Sequence, residues 1–239
     1  MKLVTMMSGS TGNGYALTTS DETLIIEAGM RPDKSARCVH SPMVGCIVSH
    51  RHEDHSKYIK AYSKRMPVGG PEDAVGDIPS AAIFRQGETY HFGGFSVTPF
   101  PVPHTNADET PCPNFGYIIE HEEMGRLLFA TDTYCLPYRI FGVNHFLIEA
   151  NYDDAYIDEE VLAGNTTPEQ RERIYISHMS LKGCISSIRQ CGISKCRTII
   201  LCHLSSRHAE ATHFMRVMQR EIGIPTYVAE AGAYIPLLH

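Results

Sequence analysis

The sequence predicts an α/β protein in which two β-sheets pack face to face with helices outside. Three observations carry that prediction. Short β-type runs bounded by turn residues recur along the chain as far as Ala150, and amphipathic helical patterns lie between and after them. Residues of metal-ligand type also follow four separate strand-like runs.

Leu3 to Met7, Tyr15 to Thr19 and Leu24 to Ala28 read as strands close enough to join as hairpins. Ser8 to Gly14, between the first two, reads as a glycine-rich turn, with a phosphate cradle as the competing reading. Cys46 to Ser49 is a further apolar run, after which Ser56 is placed to cap a helix carrying Tyr58, Ile59, Tyr62 and Met66 on one side. Phe95 to Phe100, Phe115 to Glu120, Arg126 to Thr131 and Phe146 to Ala150 follow as strands. Ser180 caps a helix with Leu181, Cys184, Ile185, Ile188 and Cys191 at helical spacing, stopped by Gly192. Thr198 to Cys202 is another strand. A last helix runs from about His208, with Ala211, Phe214, Met215, Met218 and Ile222 inward and Gly223 as its stop. No repeat, low-complexity tract or linker interrupts the chain, so residues 1–239 read as a single domain.

With 43% hydrophobic and 20% charged residues, the composition suits a globular protein with a substantial core. No apolar stretch approaches a membrane span, and Met1 to Gly9 lacks a signal peptide's long apolar region, so the expectation is a cytoplasmic protein without membrane contact. Eight Cys with no Cys-x-x-Cys spacing agree with a reducing compartment and favour neither a disulfide framework nor a zinc ribbon. The formal charge of −6 argues against a strongly basic, nonspecific nucleic-acid coat. It leaves room for a local basic groove, and bound divalent cations would add positive charge where a phosphate sits.

His50-Arg51-His52-Glu53-Asp54-His55 reads His-x-His-x-Asp-His and directly follows an apolar run. Imidazole and carboxylate are the ligand set that zinc, manganese or iron takes, and so many of them at a strand's mouth must splay from a loop. His104, Asp132 and His203 then follow three further strands, and four strand ends can converge on one site. Each residue alone has a plainer reading: His104 as an exposed loop histidine, Asp132 as a cap, His203 as a buried structural histidine. The recurrence at strand ends carries the metal reading. His40, His91, His121, His145, His213 and His239 have no motif context and read as surface or core.

With these residues in view, the chain resembles the metallo-β-lactamase-fold hydrolases over nearly its whole length, most of all the YycJ/WalJ-like branch related to RNase Z-type nucleases. The resemblance rests on Ser8-Gly9-Ser10-Thr11-Gly12-Asn13, Ile25 to Gly29, His50 to His55, Val102-Pro103-His104, Ala130 to Thr133, Phe146 to Asn151, Ile176 to Ser180 and Cys202 to Ser205, in the family's order. It implies a four-layer αβ/βα sandwich with a two-metal site along one edge. By motif position, His50, His52 and His104 look like ligands of a first ion and Asp54, His55 and His203 of a second, with Asp132 bridging. His178 matches a position that donates a proton to the leaving group in the nuclease relatives; a satisfied loop histidine is the equal alternative. The chain departs from the branch at Glu27 (commonly Asp), at Tyr152 (often His) and at Arg207-His208 (where Asn residues are usual), and the last two bear on substrate preference.

Two divalent ions, zinc or manganese, about 3.5–4 Å apart would share a water and lower its pKa toward neutrality. The hydroxide bridging them would attack, with Asp54 orienting it and His178 as candidate acid. Glu27 and Glu149 are candidate acceptors for the ligand imidazoles. The expected function is therefore a metal-dependent phosphodiesterase acting on nucleic acid, exonuclease-like with DNA favoured as the resemblance implies. Lys57, Lys60, Lys64, Arg65 and Arg207 are candidate backbone contacts, though a solvated helix face explains the lysines equally well. The alternative is a small-molecule hydrolase of the same fold, a cyclic-nucleotide phosphodiesterase or a glyoxalase II-like thioesterase, favoured by the acidic total. A noncatalytic metal-sensing module fits a full ligand set poorly. The oligomeric state stays open, a homodimer included.

Overall fold

The structure, a computed structural model, describes residues 1–238, so His239 lies outside the described residues. In chain order the first half carries β1 (Lys2–Met7), β2 (Gly14–Thr18), β3 (Thr23–Ile26), α1 (Pro32–Ser35), β4 (Met43–Ile47), α2 (Glu53–Ser56), α3 (Ile59–Tyr62), β5 (Val68–Gly70), α4 (Glu72–Val75) and β6 (Ala82–Ile83). There follow β7 (Tyr90–Phe92), β8 (Phe95–Pro101), β9 (Phe115–His121), β10 (Gly125–Ala130), β11 (His145–Glu149), α5 (Asp154–Leu162), α6 (Pro168–Ser177), α7 (Leu181–Cys191), β12 (Thr198–Cys202), α8 (Ala211–Glu221), β13 (Thr226–Val228) and β14 (Tyr234–Pro236).

The strands form two seven-stranded sheets, ordered β14-β1-β2-β3-β4-β5-β6 and β13-β12-β11-β10-β9-β8-β7. In each, a meander of antiparallel strands passes into a parallel run: β3 to β6 in one sheet, β10 to β13 in the other. Side chains that alternate along a strand go to opposite faces, and each sheet here is apolar on both. Leu3 and Leu17 meet Phe95, Tyr117 and Phe129 between the sheets, whereas their neighbours Val4 and Ala16 turn outward toward Ile59 and Tyr62 of α3 and Val75 of α4. On the far side, Phe146, Ile148, Ile199 and Leu201 pack on Cys184 and Ile188 of α7 and Phe214 and Met218 of α8. Helix, sheet, sheet, helix is the resulting order of layers, as expected.

Two helices form as the sequence signals. Ser180 Oγ accepts Gly183 N at 3.1 Å, and α7 ends at Gly192 with φ 75°. In α8 the cap is Glu210, whose carboxylate accepts Thr212 N and His213 N, so the helix starts at Ala211 rather than near His208. The helix expected after Ser56 is instead two short turns, α2 and α3. Ser56 lies inside α2 and its hydroxyl donates to Arg51 O, because the metal-type loop itself opens that turn with His52 as the cap residue. The pair α5 and α6 was not anticipated. Each buries a single residue, Ile157 and Ser177, so there is little apolar periodicity to read, although Thr167-Pro168-Glu169-Gln170 forms a full capping box.

Candidate metal centre

The parallel runs of both sheets end on the same edge, and the residues singled out by the sequence sit there. His50 follows β4, with His52, Asp54 and His55 on the turn into α2; His104 follows β8, Asp132 follows β10 and His203 follows β12. His50, His55, His104, Asp132 and His203 are buried, and His52 and Asp54 half-buried. Donor atoms of His50, His52, His104 and Asp132 lie within 4.8 Å of one another, as do those of Asp54, His55, Asp132 and His203. All seven candidate ligands are thus brought together, in two groups that share Asp132.

The fit to cations is seen in the nitrogens. His104 Nε2 and His52 Nδ1 face each other at 3.2 Å, and His50 Nε2 stands 3.4 Å from Asp132 Oδ2. In the other group His55 Nε2 is 3.2 Å from Asp54 Oδ2 and 3.1 Å from Asp132 Oδ2, with His203 Nε2 3.8 Å from Asp54 Oδ2. His50 Nε2 and His203 Nε2 are buried without a hydrogen-bond partner, a costly state for a polar atom unless it meets a cation. Polar groups stand behind His50, His52, His55 and His203, although His55 Nδ1 and His104 Nδ1 make no hydrogen bond. Ser49 Oγ is 2.9 Å from His50 Nδ1, Asn106 Oδ1 is 3.2 Å from His52 Nε2, and Glu27 Oε1 is 3.4 Å from His55 Nδ1. Glu149 Oε1 lies 3.2 Å from His203 Nδ1 and 2.7 Å from Nδ1 of His178, which caps the end of α6. The carboxylates at 27 and 149 thus stand behind imidazoles, the arrangement that sets which nitrogen faces a metal.

Electrostatics divide the two groups. Burial pushes His104 down to about 4, and burial with the neighbouring His55 charge holds His50 well below its usual value. Burial acts the same way on His55 and His203, but Asp132 and the carboxylates around them outweigh it: His55 stands well above its usual value and His203 is pushed up to about 10. Burial alone would raise Asp54, yet the His203 and His55 imidazoles beside it hold the carboxyl well below the carboxylate range.

Local backbone supports the same edge. Glu27, Asp132 and His203 have φ of 70°, 49° and 54°, a left-handed conformation that costs free energy in a non-glycine residue and tends to accumulate at functional sites. Gly29 is needed for a different reason: a Cβ there would overlap Asp54 O and lie 2.6 Å from Asn13 N. The Ser8 to Gly14 segment is the β1–β2 connection, and it reaches the site. Asn13 Nδ2 is 2.9 Å from His55 Nε2, and Asn13 N donates to Asp54 O at 2.7 Å. The glycines of this segment signal turn geometry and mask the Asn among them. Asn106, two residues past His104, has no motif context to single it out.

A cleft of ≈ 580 Å³ opens over both groups, walled on one side by Thr166, Gln170, Arg173 and Ile174 from α6 and the turn before it. Lys57 and Lys60 do not line it. Lys57 faces Glu53 at 3.8 Å and Lys60 pairs with Asp77, as on a solvated helix face. Among the histidines without motif context, His121 is buried 3.1 Å from Glu22, and His145 Nε2 lies 3.1 Å from Met124 O in the core.

A two-sheet sandwich that gathers His and Asp donors at the carboxyl ends of its strands is the build of a metal-dependent hydrolase. Residues 26–204 match the model of the beta-lactamase superfamily domain, and the chain belongs to that family. It is 27% identical over 250 residues to exodeoxyribonuclease WalJ of Streptococcus pneumoniae, an alignment covering 92% of this chain and 89% of that protein. To exodeoxyribonuclease YycJ of Bacillus anthracis it is 24% identical over 234 residues, covering 80% of this chain and 86% of that one. The metallo-β-lactamase fold protein YhfI of Bacillus subtilis superposes with a TM-score of 0.73 at 14% identity, over 98% and 99% of the two chains, which makes the fold a metallo-β-lactamase sandwich.

Proposed function

We propose that this protein is a phosphodiesterase that cleaves nucleic acid, exonuclease-like and with DNA as the favoured substrate, through two divalent ions of zinc or manganese. The observation that carries the reading is the pair of donor groups sharing Asp132, each with a buried imidazole nitrogen that lacks a partner. His50, His52 and His104 would hold one ion and Asp54, His55 and His203 the other, with Asp132 between them. Seven donors exceed what one ion of four to six ligands takes up. Bound there, the ions would supply Lewis acidity, lowering the pKa of a water and offsetting charge on the phosphoryl oxygens. Asp54, kept ionised by its imidazole neighbours, accepts a hydrogen bond from the attacking water and orients it. His178, whose Nδ1 is taken by Glu149, offers Nε2 to protonate the leaving oxygen.

The names of the two bacterial relatives support DNA as substrate. The eight cysteines, all free, support a reducing, cytosolic setting, and the interface apolar cluster shared by both sheets supports one domain over 1–239. A second reading, hydrolysis of a cyclic nucleotide or a thioester, draws support from the cleft, whose ≈ 580 Å³ falls in the range of small-molecule sites. Single- and double-stranded DNA, RNA, cyclic mononucleotides and bis-p-nitrophenyl phosphate, assayed with zinc or manganese, separate the readings. End-wise loss of DNA is expected; rapid opening of a cyclic mononucleotide without DNA cleavage would establish the second reading instead.

A further inference from the structure

Arg173 and Arg207 are the cationic side chains other than histidine that line the cleft. Arg173 comes from the middle of α6 and Arg207 from the segment after His203, and both are exposed. About half of the other arginines of this acidic chain have a carboxylate at hand, as Asp73 is 3.7 Å from Arg51, Glu120 2.9 Å from Arg126, Asp158 2.9 Å from Arg171 and Glu221 3.0 Å from Arg189, and the unpaired remainder do not line the cleft. Neither Arg173 nor Arg207 has a carboxylate within 4.0 Å among the described residues. A planar guanidinium without an acidic partner, beside a site that takes phosphoryl oxygens, is a ready receptor for a further phosphate.

The two segments that present these arginines are also tied together. His208 is buried, with Nε2 3.0 Å from Thr166 Oγ1 and Nδ1 3.3 Å from Ser205 Oγ. Thr166 precedes the capping residue of α6, and Ser205 Oγ accepts Arg207 N at 3.3 Å. The backbone on either side of the cleft is therefore set before a ligand arrives, which spares part of the ordering cost of binding.

Building on the phosphodiesterase reading, we propose that Arg173 and Arg207 form a subsite for a phosphate other than the one under attack. The substrate class is then a nucleotide chain carrying at least two phosphates, and a cyclic mononucleotide, with one, leaves the subsite empty. The test uses the metal-loaded protein and three thymidine substrates: TpT, with a single phosphate; pTpT, with a terminal phosphate added; and TpTpT, with an internal one added. Wild type should turn over pTpT, TpTpT or both with a kcat/KM about tenfold or more above TpT, the scale of a charge-assisted phosphate contact. A gain on pTpT alone assigns the subsite to a terminal phosphate, and a gain on TpTpT to the backbone. Arg173→Ala/Arg207→Ala should erase that advantage, and Arg173→Lys/Arg207→Lys should restore part of it. An advantage that survives the double alanine change, no advantage in wild type, or equal losses on TpT and pTpT would overturn the proposal. Anisotropy of a labelled thymidine decamer, measured after chelation, reads the subsite without turnover. Binding by wild type that the double variant loses, with none of the three substrates cleaved by the metal-loaded wild type, would sink the phosphodiesterase reading and leave the subsite standing. Equal binding by both proteins, or none by wild type, would sink the subsite.

Discussion

Glu149 Oε1 lies 2.7 Å from His178 Nδ1, where β11 ends beneath the cleft. The same oxygen is 3.2 Å from His203 Nδ1, while Oε2 accepts Thr133 N at 2.9 Å. One buried carboxylate thus orients a candidate ligand, the candidate acid and the segment that follows Asp132. Burial would raise its pKa, but His178 and His203 outweigh that and hold it low. Glu149→Gln keeps the volume and removes the charge. Phosphodiester turnover should fall about 10–100-fold, with weaker metal retention, as for other carboxylates behind ligand imidazoles. His178→Ala should lower kcat by about 10²–10⁴ with metal content intact. Kinetics paired with elemental analysis separates the two, and loss of metal in the His178 variant would contradict its role as acid.

Asp54→Ala should abolish phosphodiester hydrolysis while the fold survives. The carboxylate is half-buried at the cleft and outside the three apolar clusters, so its removal leaves no core cavity. Circular dichroism should match wild type. Activity within about threefold of wild type would remove Asp54 from the chemistry.

Metal uptake should depend on pH more steeply at one donor group than at the other. A ligand imidazole must be neutral. His50 and His104 are depressed, His104 to about 4, so near pH 7 they carry no proton for an ion to expel. His55 and His203 are raised, His203 to about 10, so the metal-free protein holds protons there that an ion must displace. Because the folded pKa lies above the working pH, lowering the pH favours the proton and weakens the ion. The second equivalent should lose up to about tenfold in affinity per pH unit for each proton displaced, between pH 8 and 6. Calorimetric titration in buffers of different ionisation enthalpy counts those protons. Equal counts for both equivalents, or uptake of a single equivalent, would contradict the two-group assignment.

Gly29→Ala should damage the site from a distance. Gly29 N donates to Asn13 O at 2.9 Å, and the next backbone bond, Asn13 N to Asp54 O, is 2.7 Å. A methyl group at Gly29 would force these two loops apart. A loss of about 1–3 kcal/mol in stability is expected, the usual scale of overpacking, together with weakened binding of the ion at Asp54, His55 and His203. Thermal unfolding with and without added zinc measures both. An unchanged midpoint would mean that the loops yield at little cost.

Much of this protein is written in local pattern. Runs such as Thr198 to Cys202 and Leu24 to Ile26 are apolar on both faces, so they could be identified as inner strands before any fold was known. The His50 to His55 loop and the residues ending three further strands were legible for a similar reason, since ligand chemistry restricts which side chains can serve. What only the tertiary structure decided is which distant residues meet. Glu149 and His203 are separated by 54 positions and Asn13 and His55 by 42, and no periodicity records such pairings. They follow from the sheet order, which sets β10, β11 and β12 side by side and brings their carboxyl ends to one edge. The wall carrying Arg173 was hidden because α5 and α6 bury almost nothing, and burial is what gives a helix its readable period. Of the two readings the sequence left open for Lys57 and Lys60, the solvated face agrees with the structure: they pair with Glu53 and Asp77 and do not line the cleft.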